Sequence, residues 1–192
     1  MSGQRPQKIS LQVIDNQALR TVFEWIFPFG CGMLAYALHG VLKNSLGIPG
    51  HHGLLFMAFL VMAKSATRNR ASGIVSSLGV GTIMLLGPLG FSDPFKMVTY
   101  MLPGLMLDAL LLPDFRVKGK WLRNMLPVFA GGIAYMMVPL FRIAVTGVSG
   151  LPYPAAVKQG TVLPLIGFFV FGLLGSLIGW SVQRITRPVF KK

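Results

Sequence analysis

The sequence predicts an all-α integral membrane protein, a bundle of six transmembrane helices with both termini in the cytoplasm. Two observations predict it. Mean hydropathy is +0.65, and only 12% of residues are charged, against about a quarter in a soluble domain. Fourteen of the eighteen Lys and Arg residues also occupy every second gap between apolar runs. Arg5, Lys8 and Arg20 precede the first run; Lys64, Arg68 and Arg70 separate the second and third. Arg116, Lys118, Lys120 and Arg123 separate the fourth and fifth, and Arg184, Arg187, Lys191 and Lys192 close the chain. The other side keeps Lys43, Lys96, Arg142 and Lys158. Short cytoplasmic loops carry this excess of Lys and Arg, and Asp and Glu barely enter the rule. The expected location is the inner (cytoplasmic) membrane, with multiple passes.

Residues 1–21 are polar and read as a cytoplasmic or interfacial segment, because Ile9, Leu11 and Val13 alternate too briefly for a strand. Residues 22–185 form the six-helix domain, and 186–192 a basic cytoplasmic tail. Span one is expected near 22–42. Ala35-Tyr36-Ala37 resembles a signal-peptidase site, but about twenty polar residues precede the run, and Glu24 and Pro28 interrupt its start. Pro28-Phe29-Gly30 is the wrong lead-in for a lipoprotein box at Cys31. The span is therefore read as retained. Span two, 53–63, is short against the roughly twenty residues of a crossing, so it is expected to begin in the loop around Gly47–Gly53. Spans three to six are expected at 74–89, 95–112, 124–145 and 161–182.

The composition excludes several functions. A net charge of +13 would suggest nucleic acid in a soluble domain. Here the charge flanks apolar spans, so anionic lipid head groups explain it better and no nucleic-acid partner is expected. A single Cys31 allows neither a disulfide framework nor a thiolate metal cage. Gly147-Val148-Ser149-Gly150 matches the GxSG of rhomboid-type proteases, yet every histidine precedes residue 53, and those enzymes need a later one as base. With no HExxH, no paired aspartates and five acidic residues in all, the chain is expected to be no enzyme and to carry no cofactor.

Polar residues within spans are costly in lipid and mark function or pairing. Glu24 stands one turn after Arg20, at pairing distance. Asp108, near the cytoplasmic end of span four, is expected to pair with the adjacent basic loop. The outer side offers His39, Asn44, His51, His52, Tyr100, Arg142 and Gln159 as candidate substrate-binding residues. They form a rim of donors, aromatics and positive charge above an apolar bundle, which is the form of a ligand pocket; an ordinary wet loop region has the same composition. His51 and His52, even with His39, lack a thiolate or a second loop carboxylate beyond Asp93 for a metal set. No metal is expected there; hydrogen bonding to an organic ligand, or loop structure, is.

Small residues mark close helix contacts in lipid. Cys31 and Ala35 fall on one stripe of span one with Glu24, Pro28 and His39, and Gly175 and Gly179 form a small-xxx-small pair in span six. These four are candidate docking positions for another membrane subunit, with packing inside the bundle as the plain alternative.

In length, six spans and cytoplasmic ends, the chain resembles the substrate-binding subunit (S component) of energy-coupling factor vitamin transporters. Gly47-Ile48-Pro49-Gly50-His51-His52-Gly53-Leu54 falls where such subunits fold a loop over their ligand. Pro103-Gly104-Leu105-Met106-Leu107-Asp108-Ala109-Leu110-Leu111 is similar to a Gly…Asp-Leu pattern of their fourth span. Many members carry an Ala-xxx-Ala docking face in span one, where this chain has Cys31-xxx-Ala35. The resemblance implies capture of a small vitamin or cofactor precursor on the extracytoplasmic side, with a transmembrane coupling subunit and ATPase subunits as partners. ATP hydrolysis would fall to those partners, since Gly79-Val80-Gly81 lacks the P-loop lysine. The competing reading is a non-transport assembly or scaffold subunit that packs with partner membrane proteins through its glycine faces. A stand-alone carrier would show paired repeats with interrupted helices, and none is found.

Overall fold

The computed structural model describes residues 8–42, 50–86, 94–111, 120–149 and 162–186. All of the secondary structure described is helical: α1 (Lys8–Leu42), α2 (Gly53–Ala66), α3 (Ser72–Leu86), α4 (Pro94–Leu110), α5 (Lys120–Ser149) and α6 (Val162–Thr186). Each expected span is a helix. The 87–93 and 112–119 edges of spans three and four lie outside the described residues.

The largest departure is at the start. Residues 8–21, read from sequence as a polar segment without assigned structure, continue α1 as one helix of 35 residues. Leu, Gln, Ala and Arg in this stretch are good helix formers. Once an apolar span has nucleated, each further residue adds a hydrogen bond without a new nucleation cost.

Helix α2 is the centre of the bundle. It contacts every other helix, while α1, α3, α4, α5 and α6 follow one another in an arc around it. The arc is open between α1 and α6, which flank α2 on its two sides. Phe56, Met57, Leu60, Val61 and Ala63 of α2 are fully buried, and α2 contributes none of the large exposed apolar side chains. Those come from the arc instead: Leu34, Ile74, Leu78, Leu105, Phe129, Ile133, Val170 and Leu174 all face outward. An apolar belt of this extent is rare on a soluble monomer.

Contacts along α2 fix the direction of its neighbours. Gly50, Gly53 and Ala58 meet α6 near Gly167, Gly175 and Gly179 in turn, so α6 runs parallel to α2. Gly53 meets Tyr135 while Val61 meets Gly131, so α5 runs antiparallel. One end of the bundle therefore carries Arg20, Lys64, Arg68, Arg70, Lys120, Arg123 and Arg184, and the other Lys96 and Arg142. The helices α1, α5 and α6 each contain a stretch long and apolar enough to cross a membrane (Gln17–His39, Asn124–Gly147 and Val162–Thr186). Helices α2 and α3 are apolar but shorter, at 14 and 15 residues. By length and surface this is a membrane protein.

Candidate functional site

At the end remote from the basic residues, the chain turns through Gly50, whose φ of +88° suits glycine. An added Cβ there would stand 2.8 Å from the backbone of Gly167 and Phe168, so the turn is pressed against α6. The Gly53 N–H donates to Gly50 O at 2.8 Å, and Leu54 N–H to His51 O at 3.2 Å. This tight turn sets His51 beside His52, with ring centroids 3.6 Å apart. His39 of α1 meets His52 edge-on at 4.9 Å. Its Nε2 shares a hydrogen bond of 2.9 Å with the Tyr100 hydroxyl of α4.

The structure thus brings together four of the residues expected to bind substrate: His39, His51, His52 and Tyr100. His39 and His51 are buried, at 7% and 5% exposure. Asn44 and Gln159 lie outside the described residues. Arg142 lies seven residues beyond Tyr135, so its backbone is about 10 Å further along α5.

Four aromatic residues complete the cluster and were not singled out from sequence. Tyr36 meets Tyr100 edge to face at 5.4 Å. Phe56 lies 6.0 Å from His39 and 6.1 Å from Tyr135, and Tyr135 stacks on Phe168 at 4.8 Å and 22°. Two of them had a legible signal, because Tyr36 and Phe56 stand three and four residues from His39 and His52, one turn apart on the same helix face. Tyr135 and Phe168 had none. Chemically the cluster offers flat ring faces and edges, which favour offset and edge-to-face partners, together with imidazole and phenol groups for hydrogen bonding. Among the described residues, no three of His, Cys, Asp and Glu are placed to hold a metal ion. Ser149 closes α5 about 20 Å beyond Tyr135, and its side chain lies outside the described residues.

The opposite end is built from charge. Asp108 of α4 accepts from Lys64 Nζ of α2 at 2.6 Å, and both side chains are at most 10% exposed. It also accepts from the backbone N–H groups of Gly73 (2.9 Å) and Ile74 (2.7 Å) at the start of α3. A carboxylate from one helix therefore caps another, satisfying orphan donors and the positive end of the α3 dipole. Lys64 Nζ in turn donates to Arg70 O at 2.7 Å. The expected pairing of Asp108 holds in kind, but its partner comes from the loop side of α2 rather than from the loop after α4. The carboxylate needs α3 to come close, and Gly73 and Gly104 allow it: a Cβ on either would collide with the facing helix. The expected Arg20–Glu24 pair is present, with Arg20 Nε 4.0 Å from Glu24 Oε1.

The four docking candidates are internal. Cys31 and Ala35 are 4% and 0% exposed. A Cβ on Gly175 would strike Leu54 O, and one on Gly179 would strike Ala58 O. These positions are the seams by which α1 and α6 join the bundle. Small residues are as necessary there as at a docking face, which is why sequence alone left both readings open. No family model, curated protein or solved structure matches the chain.

Proposed function

We propose that this chain is the substrate-capture subunit of an ATP-driven importer, similar to the S components of energy-coupling factor transporters. All six helices cross the cytoplasmic membrane, and both termini are cytoplasmic. The outward end takes one small vitamin or cofactor precursor. A transmembrane coupling subunit and ATPase subunits supply the energy.

One observation carries this reading: three imidazoles and a phenol from α1, the turn before α2, and α4 converge with aromatic rings at the end opposite the basic one. Buried polar groups in a membrane protein are costly unless they serve the fold or a ligand. A planar heteroaromatic compound suits such walls, with ring faces for stacking and hydrogen-bonding groups at the edges. The scaffold alternative drew its support from the glycine faces. Those faces are occupied by the chain's own helices, so it has no specific observation in its favour.

Gentle purification followed by mass spectrometry should recover a stoichiometric small molecule, and a vitamin panel should raise thermal stability with one member. His39→Ala should weaken that ligand roughly tenfold, since a hydrogen bond of this kind contributes on the order of 1 kcal/mol and ring contact adds to it. Reporter fusions after Arg70 and near Gly150 should report opposite sides of the membrane. Persistent absence of any ligand across the panel would overturn the capture role, and agreement between the two fusions would overturn the topology.

A further inference from the structure

At the basic end, the opening of the arc between α1 and α6 forms a groove of about 770 Å³. Its floor is the last turn of α2, with Met62; Phe23 and Phe27 of α1 line one wall and Gln183 of α6 the other. Arg20 and Arg68 stand within it. Gln183 is only 5% exposed and lines the groove, so its side-chain amide is the polar group on the α6 wall. Glu24 also lines the groove, but its contact with Arg20 is a loose 4.0 Å and Arg20 is 60% exposed. Counting Glu24 against Arg20, the guanidinium of Arg68 leaves the groove positive.

We propose that this groove seats an anionic phospholipid of the leaflet at the basic end. Its phosphate lies at Arg20 and Arg68, the Gln183 amide donates to a glycerol-ester carbonyl, and an acyl chain runs along Phe23, Phe27 and Met62. Three features favour a lipid over other occupants. The groove opens sideways beside Leu19 and Ile26, which are 62% and 64% exposed on the apolar surface. Its charge complements a phosphodiester, as in basic pockets between transmembrane helices. Its volume lies within the roughly 300–1,000 Å³ of sites that enclose a small molecule. The inference rests on the membrane reading and the placement of the basic residues, and is independent of substrate capture.

The test uses the full chain in nanodiscs of phosphatidylcholine with a minor fraction of phosphatidylglycerol, followed by native mass spectrometry. Wild-type protein should retain one phosphatidylglycerol in preference to phosphatidylcholine by tenfold or more. The double variant Arg20→Ala/Arg68→Ala should lose that preference. Arg184→Ala removes a charge at the same end, on a side chain that stacks over Trp180 at 4.5 Å and lies outside the groove; it should retain the lipid. Gln183→Leu should reduce retention while leaving the charge unchanged. Equal retention of both lipids by wild type, or undiminished preference in the double variant, overturns the proposal. So does displacement of the retained species by millimolar inorganic phosphate, which would mark a free-anion site. Loss of preference in Arg184→Ala to the same extent would assign the effect to general surface potential and overturn it as well. Failure to enter nanodiscs would instead break the membrane reading itself. A missing substrate would leave the lipid result untouched.

Discussion

The two ends of the bundle handle buried polarity in opposite ways. At the basic end Asp108 receives three donors from two other helices, and Lys64 is held by Asp108 and by a backbone carbonyl. That charge is committed to joining α2, α3 and α4. At the other end, His39, His51, His52 and Tyr100 meet through ring contacts, with a hydrogen bond of 2.9 Å between His39 and Tyr100, among apolar rings. A charged clamp tolerates no exchange of partners, because losing one strands the other in a medium that cannot solvate it. An aromatic cluster can exchange one ring contact for another at modest cost. Burial alone therefore does not separate a structural polar group from a binding one; the kind of partner the fold gives it does.

The sharpest way to break this contrast is to remove one member from each end. Asp108→Ala leaves Lys64 and the Gly73 and Ile74 amides without their acceptor, and should cost about 3–5 kcal/mol, as loss of one partner of a buried pair does. His39→Ala should cost only about 1 kcal/mol in the ligand-free protein, the scale of a neutral hydrogen bond. Unfolding of the purified variants in mixed micelles, followed by circular dichroism, measures both. Equal costs would mean that the imidazole end is as structural as the other.

A smaller effect separates a seam from a docking face. Ala35 is fully buried, so Ala35→Trp should destabilise the isolated chain by about 1–3 kcal/mol or more through overpacking. A residue reserved for a partner would leave the isolated chain unchanged and impair only assembly. Thermal unfolding of the chain alone distinguishes the two, and an unaltered midpoint would restore Ala35 to the docking role.

The six helices were legible because apolar runs and basic gaps report the solvent each residue meets, and solvent is what hydropathy records. The sequence also marked Asp108 as paired, since a carboxylate in a span must find a donor. It did not show that Lys64, forty-four positions earlier, would be that donor, because the approach depends on two glycines on different helices, Gly73 and Gly104. The same limit applies at the imidazole end. His39, His51, His52 and Tyr100 were visible as polar groups near one side, whereas Tyr135 and Phe168 look like any other lipid-facing aromatic until the helices are placed. Small residues were the least informative: a Gly-xxx-Gly spacing specifies close approach but not which helix approaches, so Gly175 and Gly179 pointed outward in one reading and pack against α2 in the structure.

The smallest expected effect concerns Glu24, an acidic residue at the basic end that the clamp does not use. Its partner Arg20 is 60% exposed and 4.0 Å away. An exposed pair of this geometry gains little, because water solvates both charges nearly as well as they solvate each other and long side chains lose freedom in pairing. Glu24→Gln should therefore change stability by less than about 0.5 kcal/mol, against several for Asp108→Ala in the same micelles. The same substitution removes a carboxylate that lines the groove and frees Arg20, so retention of phosphatidylglycerol should rise while the midpoint stays fixed. A large loss of stability would place Glu24 with Asp108 as part of the clamp, and would show that the charged framework extends along α1 to the open side of the arc.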